Sequence, residues 1–206
     1  MARQSSFGIC GLCGVRKGKA AMVTHLKQCL PASATQRPMA PVMLLRAQQG
    51  ANSIYWLDVA APLDSKLDQL DGLLRQVWLE CCGHLSGFFE GRYDEIPAGS
   101  RMKQVFRFVG RTVGYQYDFG STTELTIRLA GVANAATGKA AVVARNEAPV
   151  WACNACGQPA VHVCSECGWT GNGFFCGKHG RSHECGEEML LPVVNSPRMG
   201  VCGYTG

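Results

Sequence analysis

Cys10, Cys13, His25 and Cys29 supply three thiols and one imidazole within twenty residues, at the spacing C-x2-C-x11-H-x3-C. Two ligands three positions apart can hold one ion in a tight turn, and two ligands four positions apart share one face of a helix. Gly14 follows the second cysteine, where a left-handed backbone can turn N–H groups toward the sulfur. The segment is therefore predicted to bind zinc, the alternative being a helix with incidental thiols.

Eight more candidate ligands lie near the C-terminal end, in the pattern C-x2-C-x7-C-x2-C-x8-C-x2-H-x3-H-x-C. Sequential filling of two ions would crowd the last four ligands into ten residues. Alternating filling, or a cross-brace, gives each ion three sulfurs and one nitrogen, and we favour it. Its first set is Cys153, Cys156, Cys176 and His179, and its second set is Cys164, Cys167, His183 and Cys185.

These three sets predict three zinc ions as the cofactors. Each ion would have four protein ligands and no open position for a catalytic water, so the metal is predicted to be structural. The chain has twelve cysteines, and its first residues contain no apolar segment typical of an export signal. Thiols kept for metal binding indicate a reducing compartment, and we expect a cytoplasmic protein.

The C-terminal ligand pattern resembles the double-zinc cross-brace fingers, in particular the B-box and stress-associated-protein types. The stretch "FFCGKHGRSHEC" carries this resemblance through its C-x2-H followed by H-x-C. Fingers of these families serve mostly in protein interaction. The resemblance therefore implies an interaction module at residues 151–186.

Between the two cysteine-rich ends, the periodicity predicts an α+β domain with a small antiparallel sheet and one main helix. The segments "VMLLRA" and "SIYWLDVA" are predicted strands, and a helix from about Ser65 to Cys82 has Leu67, Leu70 and Leu74 on one apolar face. Alternation predicts a hairpin around "YQYDFGSTTELTIRL", whose aromatic residues could form a core or stack on nucleic-acid bases. The expected organisation is a C2HC zinc finger at 1–32, a linker at 33–41, the α+β domain at 42–145, the cross-brace finger at 151–186 and a tail at 187–206.

Residues 42–145 resemble the plasmid-borne ORF-3-like domain, also described as a transposon resolvase-passenger-like domain. A His-Leu-x-x-Phe element and a Tyr-Asp-Phe-Gly hairpin carry the resemblance, at His84, Leu85, Phe88, Tyr117, Asp118, Phe119 and Gly120. The family's usual Pro-x-x-Trp-Arg stretch before the helix is missing here. The resemblance implies a compact α+β sheet domain and an association with mobile elements.

The dipeptide Cys81-Cys82 and the nearby His84 raise the question of catalysis, since a thiol beside an imidazole can act as a nucleophile. Cys81 lies on the predicted apolar face of the helix, and buried cysteines are usually inert. We therefore prefer core packing for Cys81, and a helix-capping role is open for His84. Cys202 has no partners in the local sequence and is predicted to be a free thiol in a frayed tail.

Residues 1–57 contain seven Lys or Arg and no Asp or Glu, although the whole chain has a net charge of only +5. Four of these cations surround the first zinc set, and they are Arg16, Lys17, Lys19 and Lys27. Such a cluster could bind nucleic acid, or it could be a solvated surface. Closed metal sites and the absence of a clear catalytic motif favour a non-enzymatic adaptor with a protein partner. No stretch is apolar enough to predict a membrane partner, and no small-molecule substrate is evident.

Overall fold

The computed structural model describes residues 6–33, 38–50, 53–91 and 93–206. The chain divides into two units. Unit 1 comprises the residues up to Leu74 together with Leu85–Glu147, and unit 2 comprises Arg75–His84 together with Ala148–Gly206. Residues 34–37, which make up much of the predicted linker, lie outside the described residues.

The described residues of unit 1 form nine strands and three helices. The strands are β1 (Phe7–Cys10), β2 (Arg16–Gly18), β3 (Ala40–Gln48), β4 (Trp56–Pro62), β5 (Ser86–Glu90), β6 (Asp94–Ile96), β7 (Thr112–Tyr117), β8 (Thr123–Ala135) and β9 (Ala141–Asn146). The helices are α1 (Lys19–Ala32), α2 (Leu67–Leu74) and α3 (Met102–Val105). The strands form one sheet in the order β2-β1-β9-β4-β3-β8-β7-β5-β6, with antiparallel pairing between neighbours. The predicted α+β class is confirmed, but the sheet is large where a small one was expected.

The N-terminal segment is part of this sheet, whereas the sequence predicted a separate finger. Strand β1 pairs with β9, with Ile9 opposite Arg145. Gly8 lies so close to the neighbouring strands that a Cβ atom would come within 2.6 Å of the Trp56 ring. A segment of only some thirty residues cannot bury enough apolar surface to form its own core. Its apolar side chains therefore pack in the core of the larger sheet.

Helix α1 packs on the sheet through one stripe of buried apolar side chains. Met22, Leu26 and Leu30 follow a four-residue spacing and pack with Trp56 and Val42 in one apolar cluster. The adjacent face of the helix, which carries His25 and Cys29, lies beside this stripe. Within the described part of the chain, no helix has the length and apolar character needed to cross a membrane.

The helix predicted over residues 65–82 is shorter and changes type. It begins as α2 at Leu67, and its Leu67, Leu70 and Leu74 are fully buried as the periodicity predicted. It continues as a π-helical turn over Arg75–Leu79, in which both Trp78 and Leu79 are buried. The wider π-turn moves the following cysteines off the expected apolar stripe, since the register of the helix shifts there.

The β7–β8 hairpin holds its aromatic residues in the core. Tyr115 and Tyr117 are fully buried, so they are not available for stacking on bases. Asp118 has a positive φ of 63° and accepts hydrogen bonds from the N–H groups of Gly120 and Ser121 at 3.0 and 3.2 Å. Its side chain thus stabilises the turn, and the turn points Phe119 toward solvent at 52% exposure instead of into the predicted aromatic row.

Unit 2 has short elements only. Its three-stranded sheet has the order β11-β10-β12, from β10 (His162–Cys164), β11 (Phe174–Phe175) and β12 (Leu190–Pro192), and its α-helix is α4 (Gly177–Arg181). Strand β12 and the buried Ser196, Arg198 and Tyr204 belong to the region predicted to be a frayed tail. That prediction was wrong because the pairing and burial of this region depend on residues distant in sequence.

One buried ion pair lies in the centre of the unit 1 sheet. Arg46 on β3 and Asp58 on β4 lie opposite each other, and the guanidinium donates two hydrogen bonds of 2.8 Å to the carboxylate. Asp58 is only 1% exposed. Burial raises the pKa of the Asp58 carboxyl, while the Arg46 guanidinium acts in the opposite direction. The pair is therefore sensitive to loss of either partner.

We expect Arg46→Met to lower the free energy of unfolding by about 3–5 kcal/mol at neutral pH, because it leaves a buried carboxylate without its counter-charge. The loss should shrink at acid pH, since the raised pKa lets Asp58 become neutral there. Urea denaturation with saturating zinc measures both effects. Arg101→Met, which removes an exposed pair with Asp64, is the matched control and should have a smaller effect. Equal losses in the two variants would contradict the expectation.

Candidate metal centres

Among the described residues, four clusters of Cys and His side chains could hold metal ions. Each contains three cysteines and one histidine, and the four donor atoms of each lie within 4.8 Å of one another. They are the N-terminal cluster (Cys10, Cys13, His25, Cys29), the first cross-brace cluster (Cys153, Cys156, Cys176, His179), the second cross-brace cluster (Cys164, Cys167, His183, Cys185) and the tail cluster (Cys81, Cys82, His84, Cys202). Together they contain all twelve cysteines and four of the five histidines of the chain.

Tetrahedral zinc gives a distance test for these clusters. Zinc–sulfur bonds of about 2.3 Å and zinc–nitrogen bonds of about 2.0–2.1 Å place two sulfurs about 3.8 Å apart, and a sulfur and a nitrogen about 3.6 Å apart. One sulfur pair in each of the N-terminal, first and second cross-brace clusters lies 3.9, 3.8 and 3.6 Å apart, respectively. Four sulfur–nitrogen pairs in the same clusters lie 3.4–3.6 Å apart. The donors of these clusters therefore have the separations of ligands around one zinc ion.

The N-terminal cluster joins the end of β1 to one face of α1. The Cys10 thiol lies 3.9 Å from the Cys29 thiol, and the Cys13 thiol lies 3.4 Å from Nε2 of His25. Gly14 has a φ of +73° and donates its N–H to the Cys10 carbonyl, which forms the predicted tight turn. His25 and Cys29 lie one helical turn apart beside the buried stripe of α1. The sheet and the helix thus bring all four predicted ligands together.

The surroundings act in opposite directions on the pKa values of two thiols in this cluster. A backbone N–H of Val15 lowers the pKa of the Cys13 thiol by hydrogen bonding to its sulfur. Burial, together with the neighbouring Cys13 and Cys10 thiols, raises the pKa of the Cys29 thiol to about 12. Three thiolates can coexist here only around a cation, because a bound cation stabilises the charged form of each sulfur.

The first cross-brace cluster is held by a turn and the start of α4. The Cys153 thiol is buried and lies 3.6 Å from Nδ1 of His179, and the Cys156 and Cys176 sulfurs are 3.8 Å apart. Gly157, with a φ of +73°, donates its N–H to the Cys153 carbonyl and closes the turn between the first two ligands. This turn has the same form as the one in the N-terminal cluster.

Backbone donors favour a thiolate in the first cross-brace cluster. Burial opposes ionisation of Cys153, but N–H groups of Cys176, Ala155 and Cys156 outweigh it and lower the pKa to about 6. Hydrogen bonds that the ring donates to the Cys153 and Cys176 sulfurs raise the pKa of the His179 imidazole. An imidazolium cannot bind metal, so an ion entering this cluster must displace a proton from the thiol–imidazole pair.

The second cross-brace cluster begins at the end of β10. The Cys167 thiol lies 3.5 Å from Nε2 of His183 and 3.6 Å from the Cys185 thiol, and the Cys167 N–H points to the Cys164 sulfur at 3.5 Å. The Cys167 and Cys164 thiols raise the pKa of Cys185 to about 12. The ring of His183 packs at 4.3 Å on Phe175.

The structure groups these eight side chains in the alternating arrangement. Cys176 follows β11, which pairs with β10, and Cys164 ends β10. Strand pairing brings the second half of the ligand pattern back beside the first half. The sequential grouping would have required Cys153 to share a cluster with Cys164, and the structure places these thiols in different clusters.

The tail cluster was not predicted from the sequence. Cys202 was expected to be a free thiol, yet its sulfur lies 3.6 Å from the Cys82 sulfur and 3.2 Å from Nε2 of His84. Cys81 is half-buried, not packed inside the core, and its sulfur lies 3.7 Å from that of Cys82. One signal was available: twelve cysteines divide into four sets of three, and three zinc sites of the predicted type use only nine.

Two of the four cations near the N-terminal cluster form contacts within unit 1. Arg16 forms a two-pronged ion pair with Glu147 and lies 3.9 Å above the Phe7 ring. Lys19 is half-buried and donates to the Ser53 carbonyl at 3.3 Å. Lys17 and Lys27 are exposed. Of the four predicted cations, Arg16 and Lys19 thus make contacts within unit 1, and Lys17 and Lys27 are the two exposed lysines.

Comparisons with known proteins add little to this description. No protein-family model and no curated protein matches the chain. Among solved structures, it is similar to the crystal structure of a protein of unknown function from Methanosarcina mazei Go1, with a TM-score of 0.41 and 17% identity. The match covers 50% of this chain and 67% of that one. A similarity of this size indicates no shared function.

We expect paired substitutions to reveal which ligands share an ion. Native mass spectrometry of zinc-loaded protein should show that Cys164→Ser/Cys185→Ser binds one ion fewer than wild type, because both thiols belong to one cluster. Cys153→Ser/Cys164→Ser should bind two fewer, because its thiols belong to different clusters. Sequential filling would give the opposite result, a loss of two ions and of one ion respectively. That reversal would contradict the alternating arrangement.

Proposed function

We propose that the protein is a non-enzymatic zinc-binding adaptor, whose metal ions are structural and whose partner is another protein. One observation carries this proposal: four donors, three sulfurs and one nitrogen, converge in the N-terminal cluster and in each cross-brace cluster, at separations close to those around one zinc ion. Thiolate and imidazole ligands in tetrahedral geometry favour zinc over harder ions such as magnesium or calcium. We also propose a cytoplasmic location, since reduced thiols are stable there.

A structural role for the metal follows from closure of the clusters. A catalytic zinc keeps a position for water or substrate, whereas each cluster here offers four protein ligands to one ion. Thiol catalysis at Cys82 is also disfavoured. Hydrogen bonds with Cys202 and Cys81 raise the pKa of the Cys82 thiol to about 12, so the thiolate that a nucleophile requires is scarce.

Unit 2 supports the adaptor proposal through an exposed tryptophan. Trp169 is 73% exposed and sits in the short turn that follows the ligand Cys167. Thr170 closes this turn by donating both its N–H and its hydroxyl to the Cys167 carbonyl, at 3.1 and 2.8 Å. A large aromatic side chain on a fixed turn loses little entropy on binding, and tryptophan is enriched among residues that dominate protein interfaces.

The alternative function is nucleic-acid binding in connection with plasmids or transposons. It rests on the resemblance of residues 42–145 to the ORF-3-like family and on the basic N-terminal segment. Arg16 is exposed but ion-paired with Glu147, and Lys19 is half-buried and donates to the Ser53 carbonyl. Lys17 and Lys27 are the other two cations of that set, and both are exposed. Two cations release few counterions from a phosphate backbone, so this alternative is the weaker one.

We expect metal removal to unfold unit 2 while the unit 1 sheet persists. The core of unit 2 around β10 consists largely of ligand cysteines together with Phe175, Met189 and Leu190. Unit 1 also buries side chains that are no metal ligands, among them Leu45, Tyr115 and Ile127. Hydrogen exchange with a strong chelator should show rapid exchange at Val163 on β10 and continued protection at Leu45 on β3. Continued protection of β10 in metal-free, reduced protein would contradict a structural role for the ions.

We expect Trp169→Ala to abolish capture of a stoichiometric protein partner from a lysate of the native host, without changing the zinc content. Tyr93→Ala is the matched control, because it removes an exposed aromatic ring from unit 1 and should leave capture intact. The same proteins are then tested for binding to labelled duplex DNA and single-stranded RNA at low salt. Binding that falls steeply with salt and is lost in Lys17→Ala/Lys27→Ala would support the nucleic-acid alternative instead.

A further inference from the structure

The tail cluster joins two distant parts of unit 2. Cys81, Cys82 and His84 directly follow the π-helical turn, and Cys202 lies 118 residues after His84. The sulfur–sulfur distances of 3.7 and 3.6 Å are close to the separation of about 3.8 Å expected around zinc. The Cys82 sulfur and Nε2 of His84 are closer, at 2.9 Å, which is a direct thiol–imidazole contact. The Cys202 sulfur and Nε2 of His84 lie 3.2 Å apart, so both sulfur–nitrogen distances are shorter than those expected around a bound zinc ion.

The segment that carries Cys202 is firmly attached to the segment that carries the other three donors. The buried Ser196 hydroxyl donates to the Trp78 carbonyl at 2.6 Å and accepts a hydrogen bond from the Arg198 N–H at 2.8 Å. The Val201 N–H then bonds the Arg198 carbonyl, and the Tyr204 N–H bonds the Val201 carbonyl. Cys202 is thus positioned by a series of hydrogen-bonded turns and not by chance proximity.

The backbone at Cys202 is in a conformation that side chains usually avoid. Its φ is +50°, and among the described non-glycine residues only Asp118 shares a positive φ. At Asp118 the side chain stabilises its own turn through two hydrogen bonds. At Cys202 the unusual conformation coincides with a thiol that faces three other donors, and such strain concentrates at functional sites.

A buried cation lies beside this cluster. Arg198 is fully buried, and its Nη2 lies 3.5 Å from the Cys81 sulfur. A guanidinium keeps its charge in proteins, and a buried charge requires charge compensation nearby. Zinc with three thiolates and a neutral imidazole carries a net charge of −1. The Arg198 guanidinium therefore places a positive charge beside the net negative charge that a filled cluster would carry.

We propose that the tail cluster is a fourth metal site, which takes Zn²⁺ and fastens the C-terminal segment to residues 75–84. It is also the site that releases its ion most readily, since it is the one cluster of the four without a buried ligand. This inference rests on the proposed zinc-binding function. It adds one ion to the three predicted from the sequence and gives each of the twelve cysteines a ligand role.

The test counts zinc ions in reduced, full-length protein by native mass spectrometry. Wild type should bind four ions, and Cys202→Ser and His84→Ala should each bind three. His162→Ala is the matched control, because His162 is the histidine outside all four clusters, and it should still bind four. A weak chelator should remove one ion first from wild type, and this first step should be missing in Cys202→Ser.

Trypsin provides a second measurement that does not depend on counting ions. The bond after the fully buried Arg198 should be protected in zinc-loaded wild type and cut in Cys202→Ser or after weak chelation. Three ions in wild type and no change in Cys202→Ser would overturn the fourth site and leave the proposed function intact. Wild type without any zinc would overturn both. A first-released ion that persists in both Cys202→Ser and His84→Ala would overturn its assignment to the tail cluster.

Discussion

Three thiolates and one imidazole can occupy a space less than 5 Å across only when a cation lies between them, and this constraint governs both units. The pKa values show the conflict that the cation resolves. Backbone N–H groups lower the pKa of the Cys153 thiol to about 6. Burial and neighbouring thiols raise the pKa of the Cys29 and Cys185 thiols to about 12. A divalent ion makes all of these groups ionise together, so folding and metal binding become one equilibrium.

The two units differ in how much of the surrounding fold holds the candidate metal ligands in place. In unit 1 the N-terminal cluster is supported by the large sheet, because β1 pairs with β9 and the buried stripe of α1 packs on Trp56. In unit 2 the ligands are themselves much of the core around β10. Small folds of this kind cannot bury enough apolar surface on their own, and under the proposed function bound metal ions would supply the missing stabilisation.

Much of the fold could be predicted from periodicity, and the failures have physical causes. The alternation of Leu125, Ile127 and Leu129 matches their burial in β8, and Leu67, Leu70 and Leu74 are buried as expected. The π-turn after Leu74 could not be predicted, because local sequence does not distinguish it from an α-turn. The union of the N-terminal segment with the sheet was also hidden, since pairing between β1 and β9 depends on residues more than 130 positions apart.

The sequence by itself determined which side chains could bind metal in the N-terminal and cross-brace clusters, because C-x2-C spacing and a helical turn are local geometry. It also indicated the α+β class through local periodicity. Only the tertiary structure decided that Cys81, Cys82, His84 and Cys202 meet, and that Arg16 and Lys19 are engaged in unit 1. The physical reason is range: ligand spacing within one turn is set by bond geometry, whereas contacts across a hundred residues are set by strand pairing and burial.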